Sequence, residues 1–475
     1  MTECDISGEK NVLKHTFFTE FSVDIYIYFS EKLLFLQQKR SMYRAVYDKL
    51  IEWSRSPVED RKPLLMEGAR QVGKTWLARE LGRQEFENFI ELNFEKQTAL
   101  RSLFELDFDL GRILLAISAF SGKQVIPGRT LLFFDEIQWA PRGLLALKYF
   151  YDEMPLLHVV AAGSLLGVID HEGDSFPVGK VTFLRVFPMT FREFLLATGR
   201  KNLLDVLDNP DRALWGIFHS QLEQSLRNYY YVGGMPESVS KFVSTGDYDK
   251  VRKVQKDLLL SYKSDFSKHP PKDIVPRMHL VWDSIPTHLG KENKKFIYSA
   301  IRPGARAKDF ETAIQWLKDA GMVYKQTRVT AGELPLKGFE DENDFRLFVV
   351  DIGLLGAMCS LGRLSLLDGT EFYKQFKGAL TEQFVMQELI CQEELEVYYW
   401  DPDTGHSQLD FVIQAEDRVI PLEAKAKHSL KAKSLKVFAG KYHPQRVYRT
   451  SLAPYSKGEN LTEIPLYAIS RICSE

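Results

Sequence analysis

Five short and almost wholly apolar runs punctuate the first half of the chain: Leu64–Met66, Phe89–Asn93, Thr130–Phe134, His158–Ala162 and Val181–Phe187. A strand covered on both faces needs such a run, without polar alternation, and helical stretches separate the five. Alternating strands and helices predict an α/β unit with a parallel sheet, whose ligands sit at the strands' C-terminal edge. Upstream, Met42–Trp53 has the spacing of an amphipathic helix, and Trp76–Leu81 reads as a short helix stopped by Gly82. Residues 200–290 read as mainly helical, with a break at Gly233-Gly234 before Pro236. A basic helix over Lys291–Ile301 and a helix over Lys308–Ala320 follow, then strands over Met322–Thr327 and Phe345–Val350. Helices followed by a two-stranded hairpin predict a winged-helix module. Its Lys294, Lys295, Arg302, Arg306 and Lys308 are either phosphate contacts or a solvated basic face. Beyond it, Gly378–Leu389 reads as an amphipathic helix, and Leu395–Trp400, Gln408–Ile413 and Val419–Lys425 as strands. The predicted division is 1–41 appendage, 42–200 α/β, 201–290 helical, 291–355 winged-helix-like and 356–475 a small α/β domain.

Composition narrows the class. A chain of 475 residues is too long for one core, and 45% hydrophobic with 27% charged residues is ordinary for a soluble globular protein. A net charge of −2 carries no global signature of a polyanion partner, so any such surface is local. Cys4, Cys359, Cys391 and Cys473 are scattered, which points to a reducing cytoplasm and away from structural zinc or disulfides. Phe17–Leu36 is aromatic-rich, but Glu20, Asp24, Glu31 and Lys32 interrupt it, which excludes a membrane span. Residues 1–41 are read as an appendage, with a position upstream of the true start as one alternative.

Between the first apolar run and the helix after it lies Gly68-Ala69-Arg70-Gln71-Val72-Gly73-Lys74-Thr75, the phosphate-binding pattern G-x-x-x-x-G-K-[ST] in a strand–loop–helix context. Glycines let main-chain amides turn inward around a polyphosphate, and the helix N-terminus adds positive potential. Lys74 is expected on the β- and γ-phosphates and the Thr75 hydroxyl on Mg²⁺. The run Thr130–Phe134 ends in Asp135-Glu136, with Asp135 placed to hold Mg²⁺ and Glu136 to polarise a water. The pairing predicts an ATPase. Ser164, after another buried run, is either a γ-phosphate sensor or a helix cap.

A second constellation lies near the C-terminus. With Glu416-Asp417 as a two-residue hairpin turn, Ala415 pairs with Arg418, and counting outward sets Asp410 opposite Glu423, with Lys425 on the same face. Two carboxylates and a lysine on one face, with Glu382 on a neighbouring helix, are the parts of a Mg²⁺-dependent phosphodiesterase: three metal ligands, and Lys425 to orient water and offset charge. The plain alternative is a surface hairpin with a routine Glu–Lys pair. Ala424–Arg449 contains eight lysines or arginines and no acid, which suits DNA or another polyanion, or is simply a solvated face.

These segments, together with Phe134-Asp-Glu-Ile-Gln138, Ala162-Gly-Ser164, Phe187-Pro-Met-Thr-Phe-Arg-Glu-Phe194 and Gly233-Gly-Met-Pro236, resemble a large prokaryotic family of AAA-type ATP-binding proteins. In that family a domain of unknown function (4143 type), similar to PD-(D/E)xK nucleases, follows the ATPase. Gly378-x₃-Glu382, Leu409–Ile413 and Pro421–Lys425 match that part, and the resemblance covers about residues 42–470. It implies ATP rather than GTP, hydrolysis, and DNA or a protein partner as the target, in an assembly whose subunit number stays open. One departure is Gly179-Lys180, where relatives commonly carry Gly-Arg; if that arginine acts on the γ-phosphate, Lys keeps the charge but loses the bidentate fork, and either turnover is slow or another residue such as Arg185 serves. The leading expectation is an ATP-driven switch or motor whose C-terminal domain binds nucleic acid, with cleavage left open. Its rival is an ATP-dependent regulator that binds a protein through that domain without cleavage.

Overall fold

The computed structural model describes residues 42–163, 177–268, 270–363, 376–392, 394–403, 407–426 and 433–475. The appendage 1–41 and Ser164 lie outside them. The first sheet comprises β1 (Leu64–Glu67), β2 (Asn88–Asn93), β3 (Thr130–Asp135), β4 (His158–Ala162) and β5 (Thr182–Arg185), all parallel in the order β2-β3-β4-β1-β5. The five apolar runs are therefore its strands. Leu131 and Phe133 pack into one apolar cluster and Leu132 and Phe134 into another, on opposite faces.

Helix Lys74–Glu85 follows β1 and runs through Gly82 instead of stopping there. A Cβ at Gly82 would lie 2.2 Å from the Phe89 ring, so this glycine lets the helix sit against β2.

Helices His219–Val232, Pro236–Thr245, Tyr248–Asp265 and Val275–Leu289 form the helical region. Gly233 and Gly234 break it as expected. Gly233 has φ +73°, and a Cβ on Gly234 would lie 2.0 Å from the Met189 carbonyl. Gly234 N–H donates to the buried Asp351 carboxylate, whose other oxygen caps helix Ile352–Met358 through Leu354 N–H.

The second sheet has eight strands: β6 (Val323–Val329), β7 (Glu340–Val349), β8 (Leu395–Trp400), β9 (Leu409–Ala415), β10 (Arg418–Ala424), β11 (Val447–Ser451), β12 (Ser456–Lys457) and β13 (Leu461–Pro465). Their order is β12-β13-β11-β10-β9-β8-β6-β7. The predicted wing is the β6–β7 hairpin, but it is not free: Arg328 and Val329 of β6 pair with Tyr399 and Trp400 of β8. No helix spans Lys291–Ile301. The chain there is extended, with Phe296 N–H donating to Phe345 O of β7 at 2.8 Å, and a single 3₁₀ turn at Tyr298–Ala300.

Helix Lys377–Ile390 is buried on every face from Ala379 to Leu389, not amphipathic as its polar residues implied. Those polar groups hold main chain: Gln383 pairs with both N–H and C=O of Val349, Gln387 accepts from Ile352 N–H, and Glu388 accepts from Phe191 N–H at 2.8 Å. This helix joins the two sheets through one apolar cluster running from Leu50 to Ile472. Burial, reinforced by Glu193, pushes the Glu388 carboxyl up to about 8 from 4.5. Its folded value lies above its unfolded one, so its stabilising contribution is complete below pH 4.5 and is lost as pH rises through about 8. Glu388→Gln keeps the acceptor for Phe191 and removes the titration. Urea unfolding from about pH 5 to about pH 9 should show the variant losing less stability than wild type, by on the order of a few kcal/mol.

Candidate functional site

The loop Gly68–Thr75 leaves the C-terminal end of β1 and enters helix Lys74–Glu85. Positive φ at Gly68 (+136°), Gln71 (+65°) and Gly73 (+101°) curls it, and a Cβ at Gly68 would meet Val186 O at 2.1 Å. Its carbonyls are held from outside: Tyr262 OH donates to Arg70 O and Arg44 Nη1 to Val72 O, each at 2.8 Å. In a trans peptide the amide opposes the preceding carbonyl, so the N–H groups of Gln71 and Gly73 point the other way. Arg44 is itself buried and also donates to Phe187 O at 2.6 Å and to Glu193 at 3.2 Å. Glu193 forms a capping box with Thr190, so Phe187–Phe194 braces the loop. Lys74 Nζ donates to Gly68 O and Ala69 O at 2.7 and 2.8 Å, and burial pulls its ammonium down to about 8 despite Glu136 and Asp135.

The acids stand two strands away, at the end of β3 beyond the intervening β4, at the same edge. Thr75 Oγ1 lies 3.3 Å from both Asp135 oxygens, and Asn93, the register partner of Asp135 on β2, donates to its Oδ2 at 3.0 Å. Burial, then the neighbouring Glu136, pushes the Asp135 carboxyl up to about 6. Glu136 sits in left-handed backbone (φ +54°) and accepts from Gln138 Nε2 at 2.6 Å. Arg70 reaches out of the loop to Asp265, to Glu95 at 3.3 Å and to Glu136 at 3.9 Å. Lys180 lies at the opposite edge of the sheet, paired with Asp152 at 2.6 Å, whereas Arg185 ends β5 beside Glu67 on the loop side. From the second sheet's side, Gly321 abuts the loop, where an added Cβ would lie 2.9 Å from Ala69 N.

The C-terminal hairpin has the expected register: Arg418 pairs with Ala415 through to Leu422 with Phe411, and Glu416 takes φ +49° in the turn. Asp410 Oδ2 accepts from Ala424 N–H at 3.1 Å, and Glu423 Oε1 lies 2.7 Å from Lys425 Nζ. Glu382 accepts from Lys294 Nζ at 2.5 Å and lies 3.4 Å from Arg346 Nη1. Burial raises the Glu382 carboxyl, Asp410 adds to this, and Lys294 and Arg346 oppose it. Burial also raises Glu423, while Asp410, Glu423 and Glu382 together outweigh burial and hold the Lys425 ammonium up. The four predicted residues therefore share one electrostatic neighbourhood. Among the described residues, however, no group of three His, Cys, Asp or Glu side chains is arranged to hold a metal ion. Of the predicted basic contacts, Lys294 and Lys295 are turned inward onto Glu382 and Asp344, while Arg302, Arg306 and Lys308 are exposed.

Residues 60–195 match the model of an AAA domain, and residues 377–469 that of a domain of unknown function, DUF4143. The chain carries an AAA domain followed, near its C-terminus, by a DUF4143 domain. Residues 223–365 match a further domain of unknown function, DUF8612, which takes in most of the helical region and the β6–β7 hairpin. Over 214 residues the AAA-type chain is 26% identical to an uncharacterized protein of Methanocaldococcus jannaschii, covering 42% of this chain and 43% of that one. It thus spans less than half the length of that curated relative. A Walker-type ATPase of Pyrococcus abyssi aligns at 16% identity and TM-score 0.42, covering 67% of this chain and 96% of that one. The Aeropyrum pernix Orc1 protein, solved in complex with DNA, aligns at 12% identity and TM-score 0.29, covering 67% and 92%. Among the described residues of this AAA-type protein, no helix is long and apolar enough to cross a membrane.

Proposed function

We propose that the protein is a Mg²⁺-ATP-hydrolysing switch. The observation that carries this is the loop itself: carbonyls gripped from outside by Arg44 and Tyr262, amides turned to the concave side, and Lys74, Thr75 and Asp135 converging there. The donor set fits a polyphosphate, with cations and main-chain N–H groups on one side and a carboxylate–hydroxyl pair for a metal on the other. In this reading the amides of Gly68–Thr75 and Lys74 bind the phosphates, Thr75 and Asp135 hold Mg²⁺, and Glu136 orients the attacking water. Mg²⁺, when bound, supplies charge neutralisation at the phosphates. Ser164 is retained as the sensor candidate. Gly321 gives the loop a direct contact with the second sheet, so a loop that tightens on phosphate bears on that sheet. Cytoplasmic location and assembly into homo-oligomers belong to the same reading.

A second reading concerns the other end of the molecule, and the hairpin register favours it. Asp410, Glu423 and Lys425 meet beside Glu382, and buried Glu423 Oε2 has no hydrogen-bond partner. On this reading the DUF4143 domain binds DNA and cuts it, with Lys425 offsetting charge on the scissile phosphate and the three acids as Mg²⁺ ligands. Its rival is a domain that docks a protein and cuts nothing. ATP hydrolysis with and without DNA, in wild type and Lys425→Ala, separates them. DNA stimulation that the substitution removes supports action on DNA. Stimulation it leaves unchanged assigns binding without cleavage, and no stimulation at all favours a protein partner.

A further inference from the structure

The C-terminal carboxylates do not form an open metal site, because the chain already supplies their counter-charge. Glu382, Asp410 and Glu423 are offset by Lys294, Arg346 and Lys425, three acids against three cations. Lys425 is part of the hairpin, and Arg346, 1% exposed, is fixed in β7. Lys294 is different: it comes from the extended strap between helix Val275–Leu289 and the 3₁₀ turn at Tyr298. Three successive residues tie that strap down, with Lys294 on Glu382, Lys295 on Asp344 and Phe296 N–H on Phe345 O. Successive side chains of an extended segment point to opposite sides, so Lys294 and Lys295 grip separate acids.

We propose that Lys294 is a built-in cation that stands at Glu382 where the phosphodiesterase reading would put a divalent ion, so that such an ion enters only when the strap lifts. A divalent ion on Glu382 would sit against the ammonium already there, and like charges in a buried site repel strongly. The residue is therefore a latch set by another part of the chain. This inference rests on the phosphodiesterase reading only for the choice of acids.

The test is a calorimetric titration of the full, nucleotide-free chain with Mn²⁺ alone. Lys294→Met should gain a saturable site at least tenfold tighter than any in wild type, absent again in Lys294→Met/Glu382→Gln, while Lys294→Arg should behave as wild type. Mn²⁺ should raise the melting temperature of Lys294→Met more than that of wild type. If Lys294→Met does not fold, Lys294→Gln, which loses the charge and keeps a donor, carries the same comparison. Wild-type binding that Glu382→Gln abolishes overturns the latch, and so does Mn²⁺ affinity unchanged by removing the lysine. A Lys294→Met protein that binds Mn²⁺ and leaves DNA intact supports the latch and defeats the nuclease reading instead.

Discussion

Lys74→Ala is expected to weaken Mg²⁺-ATP binding by roughly 30- to 5,000-fold, because truncating one partner of a buried, charge-assisted pair costs about 2–5 kcal/mol. Two features set the size. The ammonium is buried, so its attraction to phosphate is poorly screened. It also ties Gly68 O and Ala69 O, so its loss leaves the start of the loop unbraced. Competition against a fluorescent nucleotide reads the affinity, and unchanged urea unfolding shows that the fold is intact. A Kd within threefold of wild type would remove Lys74 from the site.

Glu136→Gln is expected to behave oppositely, with nucleotide affinity within a few-fold of wild type and turnover down about 10²–10⁴-fold, the range for a lost general base. The surroundings make this a clean substitution. Glutamine keeps an acceptor for Gln138 Nε2, and Arg70, 3.9 Å from Glu136, retains Asp265 and Glu95. The left-handed backbone at 136 is unaffected by an isosteric side chain. Single-turnover hydrolysis of radiolabelled ATP measures the step, and wild-type rates would place the base elsewhere.

Much of this architecture was legible because burial leaves a mark on sequence. The five strands of the first sheet fall within two residues of their apolar runs, since a strand covered on both faces has few polar positions to blur it. The C-terminal register followed from one turn, because period-two alternation propagates a single pairing along both strands. Long-range main-chain contacts leave no such mark. Gln383, Gln387 and Glu388 look like the wet face of a helix, yet each is buried against a backbone amide far away in sequence. Lys291–Ile301 has helix-forming residues, but Phe296 pairs with β7 and two lysines find buried acids, so tertiary contacts override propensity. Arg44 and Tyr262, which shape the phosphate loop, sit in ordinary helical surroundings, and no local pattern announces their partners. The Thr190-x-x-Glu193 spacing was the exception: a visible capping box whose glutamate also receives Arg44.

On the proposed reading the loop Gly68–Thr75 holds a triphosphate in this 475-residue chain. Isothermal titration of the wild-type protein with ATP, in Mg²⁺ and again in EDTA, tests it most directly. One saturable site per chain, weakened without Mg²⁺ and accompanied at about 100-fold excess over Kd by about 2.7 kcal/mol of added stability, is the expected result. No saturable heat and no gain in stability at millimolar Mg²⁺-ATP would contradict it.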